Sequence, residues 1–295
     1  MSKPIFTGSG VALITPFDSL GAVNHKKLRE LTDWHISQQT DAIIVCGTTG
    51  EASTLTHDEK IKTIHTVINQ TAGRIPVIAG TGSNDTALAV SLSKDAEKCG
   101  ADALLLVTPY YNKATQEGLI AHYTTIADSV NIPCILYNVP SRTTVNIHSE
   151  TYHKLSTHPN IVATKEASGN MAAILKIRQL CGDALDIYSG NDDCYLPMLA
   201  LGAKGVISVA ANLLPRAFHE MYRLYIHGHI DTCQSMQIEW IDLINSLFSL
   251  VNPIPVKEAL NLLGFDVGAC RLPLTAMSES ARNALKTTLK QYNLM

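Results

Sequence analysis

The segment IVATKEASGN, Ile161–Asn170, begins as a buried-looking strand and then sets Lys165 and Glu166 side by side where its apolar run ends. An extended run that is apolar on both faces belongs in a sheet covered on both sides, as parallel strands in α/β proteins are. Seven more runs share this character: GVALITPF (Gly10–Phe17), DAIIVCG (Asp41–Gly47), PVIAGTG (Pro76–Gly82), ADALLLVTP (Ala101–Pro109), PCILYNVP (Pro133–Pro140), LDIYSGND (Leu185–Asp192) and KGVISVAAN (Lys204–Asn212). Helical spacing fills the intervals. In NHKKLRELTDWHIS, Leu28, Leu31, Trp34 and His35 fall near i, i+3, i+6 and i+7, and NDTALAVSLSKDAEKCG closes at Gly100. Asn24, Thr56 and Asn84 stand where helix caps are needed. Eight such units predict a (β/α)8 barrel. A doubly wound open sheet is the other architecture of this pattern, but GTTGE (Gly47–Glu51) is not its glycine-rich turn, and no phosphate loop follows Phe17.

Beyond Asn212 the strand signal stops, and LPRAFHEMYRLYIHG, DTCQSMQIEWIDLINSLFSL, PIPVKEALNLLG and SESARNALKTTLKQYN read as helices. The chain therefore divides into a barrel over residues 1–228 and a helical extension, 229–295, packed on it.

With 295 residues, 46% hydrophobic and 17% charged, the chain buries a large core. A net charge of −3, with no block of Lys and Arg, argues against nucleic acid as a partner. The start, MSKPIFTGSG, has no long apolar core, and the greasiest stretch, WIDLINSLFSLVNPIP, is broken by Asp242, Asn245, Asn252 and two prolines. No membrane partner and a cytoplasmic location are expected. The seven cysteines form no C-x-x-C pair and read as reduced packing residues, and the eleven histidines show no ligand spacing, so no metal is expected.

In a barrel of this kind the reacting groups gather at the C-terminal ends of the strands. Thr48, Thr49, Gly50 and Glu51 follow the second strand, Tyr110 and Tyr111 the fourth, and Tyr137 and Asn138 end the fifth, with Arg142 just beyond. Lys165 ends the sixth and Ser189-Gly190-Asn191-Asp192 the seventh. All are expected to converge on one mouth. Lys165 is the only lysine in the C-terminal half of a strand; Lys204 starts the eighth, and Lys113 and Lys257 fall in a loop and in the helical tail. An amine at the centre of a narrow barrel is poorly solvated, which favours its neutral, nucleophilic form and points to Schiff-base chemistry on a carbonyl substrate. Tyr137, on the neighbouring strand, is suited to shuttle protons. The hydroxyls and N–H groups of GTTGE suit a small carboxylate, and the planar fork of Arg142 suits a second.

The motifs GTTGEASTL, VTPYYNK, ILYNVPSRT, KEASGN and YSGND, in this order on successive strands, closely resemble the dihydrodipicolinate synthase family. The resemblance implies a (β/α)8 lyase that condenses pyruvate with L-aspartate 4-semialdehyde in lysine and diaminopimelate biosynthesis, without metal or organic cofactor. It implies that Lys165 forms the imine with pyruvate, that Thr48 and Thr49 hold the pyruvate carboxylate, and that Gly190 and Ile207 line the pyruvate pocket. It further implies a proton relay of Thr49, Tyr137 and Tyr111, the last reaching over from a neighbouring subunit, with Arg142 on the carboxylate of the semialdehyde. Homo-oligomers follow, usually tetramers built as dimers of dimers. The positions matching the L-lysine inhibitory pocket of this family read Ala52, Ser53, His57, Lys60, Asn84, Leu88 and Tyr110. Leu88 stands in place of a glutamate and Lys60 in place of a histidine, and both changes disfavour a bound cation, so weak or absent inhibition by lysine is expected.

Two other functions fit parts of this pattern. A sister pyruvate lyase, such as N-acetylneuraminate lyase or a 2-keto-3-deoxy-sugar-acid aldolase, shares Lys165 and Tyr137, but a polyhydroxylated tail has no need of Arg142. A barrel that has lost catalysis would have no reason to keep every one of these residue types in place.

Overall fold

The computed structural model describes residues 3–295. Eight parallel strands close into a barrel in chain order: β1 (Gly8–Ala12), β2 (Ala42–Val45), β3 (Val77–Gly80), β4 (Ala103–Val107), β5 (Cys134–Asn138), β6 (Ile161–Glu166), β7 (Asp186–Ser189) and β8 (Gly205–Ser208). The period of two along each strand divides the buried residues into two cores. One lies inside the barrel and includes Ile44, Ile78, Leu105, Ile135, Tyr137, Ala163, Tyr188 and Ile207. The other lies between strands and helices and includes Ile43, Val77, Leu104, Leu136 and Ile187. At the foot of the inner core Phe6 stacks on Tyr188, ring centroids 4.4 Å apart, and the Tyr188 hydroxyl donates to the Phe6 carbonyl at 2.8 Å.

The strand over Gly10–Phe17 required correction. Pairing with β8 begins at Gly8, and the ladder ends at Ala12. Leu13, Ile14 and Phe17 are buried all the same, because Phe17 N–H donates to Val267 O and the loop lies under the C-terminal helices. Their hydrophobicity records burial under the tail, which single-strand pattern reading cannot separate from burial in a sheet. Asn24 caps its helix, and Thr56 forms a full capping box with Glu59. Asn84 does not cap; the side chain of Asp85, one residue on, accepts from Ala87 and Leu88 N–H instead.

Beyond β8 the chain forms the helices Pro215–Ile226, Ile230–Glu239, Ile241–Ser246, Ile254–Leu262 and Glu279–Gln291, the last four of them in the tail. The stretch read as one helix from Asp231 is thus two, meeting at Trp240, which stacks on Tyr292. Leu243, Val256, Leu260, Leu285 and Leu289 are buried in one cluster with the outer barrel core, so the tail shares its hydrophobic core with the barrel. All seven cysteines are free thiols. Among the described residues no helix is long and apolar enough to cross a membrane.

Candidate active site

The register of β5, β6 and β7 positions the central pair. Tyr137 and Lys165 are Cα partners, as are Lys165 and Tyr188, so all three side chains share the inward face. Lys165 is 5% exposed, and its Nζ stands 4.3 Å from the centroid of the Tyr137 ring, a cation–π distance. Among the described residues it has no hydrogen-bond or ion-pair partner. Room for its stem depends on Gly190, where an added Cβ would come within 3.1 Å of Lys165 Cε and 2.7 Å of Ala167 Cβ. Ile207, inward on β8, is fully buried. One turn beyond strand β7, Asp192 is also buried; burial pushes its carboxyl up, and hydrogen bonds from the Ser208 hydroxyl and the Ala210 and Val209 N–H groups pull it the other way. Its Oδ2 accepts from Val209 and Ala210 N–H.

A cavity of about 250 Å³ opens beside this pair, with Thr48, Gly47, Tyr137, Arg142, Tyr110, Lys60, Ala52 and Ser53 in its wall. Lys165 touches that wall through the Tyr137 ring. Arg142 sits on the short helix Pro140–Thr143, and its Nη2 donates to the Asn252 carbonyl at 3.3 Å. Thr49 is buried, and its Oγ1 accepts from Asn252 Nδ2 at 2.9 Å. The loop that carries both threonines folds through Gly50 N–H to Gly47 O and Glu51 N–H to Thr48 O, while Thr15 Oγ1 donates to Gly50 O. Glu51 closes the turn in the left-handed region, φ 53° and ψ 36°.

Several residues expected at the mouth are elsewhere. Glu51 turns under the tail, where its Oε1 accepts from Lys257 Nζ at 2.8 Å. Asn138 follows Tyr137 and so points outward, donating to Glu166 Oε1 at 2.7 Å; Glu166 also accepts from the Tyr152 and Ser168 hydroxyls. The neighbouring letters Lys165 and Glu166 thus belong to opposite sides of the barrel wall. Tyr111 is 91% exposed with φ 73° and does not line its own chain's cavity. Of the residues matched to an inhibitory pocket, Ala52, Ser53, Lys60 and Tyr110 line the cavity, where burial lowers the pKa of Lys60. His57 is taken up by Asp95 at 3.0 Å, Asn84 O accepts from Asn112, and Leu88 lies half in solvent.

Asn252, Lys257 and Arg271 join the site without being marked by the strand pattern. Lys257 is 1% exposed and gives its Nζ to Glu51 Oε1, Thr15 O and Ala269 O. Arg271 donates its N–H to Glu51 Oε2, and its guanidinium grips Glu59. The available signal was Lys257 itself, beside Val256 and three residues before Leu260 on a helix, Ile254–Leu262, rich in apolar residues.

The sequence model of the dihydrodipicolinate synthetase family matches residues 5–292. The chain is 54% identical over 293 residues to the 4-hydroxy-tetrahydrodipicolinate synthase of Thermoanaerobacter sp. (strain X514), covering 99% of this chain and 98% of that one. With the enzyme of the same name from Clostridium novyi (strain NT), identity is 53% over 98% of this chain and 97% of that one. Among solved structures, the dihydrodipicolinate synthase of Aquifex aeolicus superposes with a TM-score of 0.96 at 49% identity, covering 98% of this chain and 99% of that one.

Proposed function

The chain belongs to the dihydrodipicolinate synthetase family, and we propose that Lys165 is the residue through which it performs the reaction. It is a lyase of the class I aldolase type that condenses pyruvate with L-aspartate 4-semialdehyde to 4-hydroxy-tetrahydrodipicolinate in lysine and diaminopimelate biosynthesis. The observation that carries the assignment is a buried amine, free of partners among the described residues, with its Nζ 4.3 Å over a phenol ring.

The Lys165 amine adds to the keto carbon of pyruvate, and loss of water from the carbinolamine gives an imine. Loss of a methyl proton then gives the enamine, whose carbon attacks the aldehyde of the second substrate. Both steps need a group that gives and takes protons beside the nitrogen, and Tyr137 is in contact with it. The Thr48–Thr49 turn supplies hydroxyls and N–H groups for the pyruvate carboxylate, with Gly190 and Ile207 shaping the pocket around its carbon chain. Arg142, at the mouth, pairs with the carboxylate of the semialdehyde. Borohydride reduction of the imine with pyruvate should leave a 1-carboxyethyl group on Lys165, seen by peptide mass; labelling of any other residue, or of none, would sink the assignment. Faster turnover of a sialic acid than of the semialdehyde would favour the sister lyase.

The relay is completed by Tyr111 of the partner subunit. The near-complete exposure of this ring on its own chain, on a left-handed backbone turned away from its own cavity, supports that reading. Lys165→Met and Tyr111→Phe proteins, each impaired alone, should regain activity when mixed and allowed to exchange subunits; no recovery would leave Tyr111 outside the site. The assembly is a tetramer, a dimer of such dimers, in the cytoplasm. Inhibition by L-lysine is weak or absent, because Lys60 and Leu88 offer an ammonium group no anion. Half-maximal inhibition at sub-millimolar lysine would overturn this, and Leu88→Glu with Lys60→His should raise sensitivity.

A further inference from the structure

We propose that Asn252, which leads into the helix Ile254–Leu262, is a positioning residue for the reaction, orienting the hydroxyl of Thr49 from the far end of the chain. The inference rests on the reading of Thr49 as a relay and carboxylate-binding group, and it gives the helical tail a part in the chemistry beyond packing.

The geometry is specific. Asn252 is 5% exposed, and its Nδ2 lies 2.9 Å from Thr49 Oγ1, across 203 positions of sequence. An amide N–H only donates, so the Thr49 oxygen accepts on that side. The hydroxyl proton is then turned away from Asn252 and is left for the carboxylate that the Thr48–Thr49 turn is read as holding. A free threonine rotor would sample several directions, and Asn252 removes that choice. The main chain of the same residue reaches the other substrate group, its carbonyl accepting from Arg142 Nη2 at 3.3 Å.

Asn252 can serve as a reference point because the tail is clamped to the same loop a few residues later. Lys257 Nζ spends all three of its donors, on Glu51 Oε1, Thr15 O and Ala269 O. Arg271 N–H takes the other Glu51 oxygen at 2.8 Å. The turn that bears Thr48 and Thr49 is thus held at its end by the clamp and at its middle by Asn252. Asn252 Oδ1 is buried with no partner among the described residues, so truncating the side chain forfeits only one hydrogen bond and also removes an unpaired acceptor.

The test is a kinetic cycle of Asn252→Ala, Thr49→Val and the double variant, with melting temperature recorded for each. Asn252→Ala should lower kcat about tenfold to a hundredfold with a melting temperature near that of the parent. Its KM for the semialdehyde should change less than twofold or so, because the carbonyl that holds Arg142 survives the substitution. The double variant should be no slower than Thr49→Val alone. Wild-type kcat in Asn252→Ala, or losses that multiply in the double variant, would overturn the proposal. A Thr49→Val enzyme of normal activity would overturn the reading of Thr49 as well, which separates the two failures. Should Asn252→Ala fold poorly, Asn252→Ser enters the same cycle with the same criteria.

Discussion

Among the described residues two lysines are buried, and only one of them leaves its nitrogen without a polar partner. Lys165 ends β6 inside the barrel, 5% exposed, with no polar partner among the described residues and a phenol ring against its nitrogen. Lys257 lies under the tail, 1% exposed, with three acceptors around its Nζ, one of them a carboxylate. Burial lowers the pKa of Lys257, and the Glu51 charge works against that shift. Burial alone therefore does not make an amine a nucleophile. What separates the two is whether the nitrogen is already satisfied, and the fold satisfies the structural one and leaves the other open.

Substitution offers several ways to break the contrast. Lys165→Met should lose activity by about a thousandfold or more while melting no lower than the parent, since an unpaired buried amine gives way to an apolar chain of similar volume. A large fall in melting temperature would mean that Lys165 is structural after all. Lys257→Met should do the reverse, costing about 3–5 kcal/mol in denaturant unfolding because it strands Glu51 beneath the tail. Adding Glu51→Gln should recover part of that loss. Glu166→Gln should cost about 1–3 kcal/mol, because the new amide turns donors toward the hydroxyls and amide that the carboxylate now accepts from. The smallest effect is at the rim of the clamp. A hydrogen bond from Arg271 holds the Glu59 carboxyl down at about 2, below its ordinary 4.5. Because the folded value is the lower one, this stabilisation is complete above pH 4.5 and is lost as pH falls through about 2. Melting curves of the wild type and Glu59→Gln should therefore converge on acidification across that window.

The barrel was legible because its eight strands are short, apolar on both faces and spaced by helices, and the ends of those strands marked Lys165, Tyr137, Thr48 and Arg142. Strand direction alone could not say which of two adjacent polar letters faces inward. Asn138 therefore counts with the mouth in the sequence, although the pleat turns it to the outer layer, where it donates to Glu166. Cap placement went astray by one residue at Asn84, where two competent side chains adjoin. Asn252, Lys257 and Arg271 stayed hidden for a different reason. Their partners stand more than 200 residues earlier in the chain, at Thr49 and Glu51, and no local period records a contact at that range.

That long closure has a consequence for how the enzyme comes into being. During synthesis the threonine turn emerges early, yet the groups that fix it follow more than 200 residues later, so a growing chain exposes an unfinished site until Asn252, Lys257 and Arg271 have been released. Chains arrested before Asn252 should fail to trap pyruvate under borohydride even where the strands have closed. Competence would then report that synthesis has passed the residues that fix the turn.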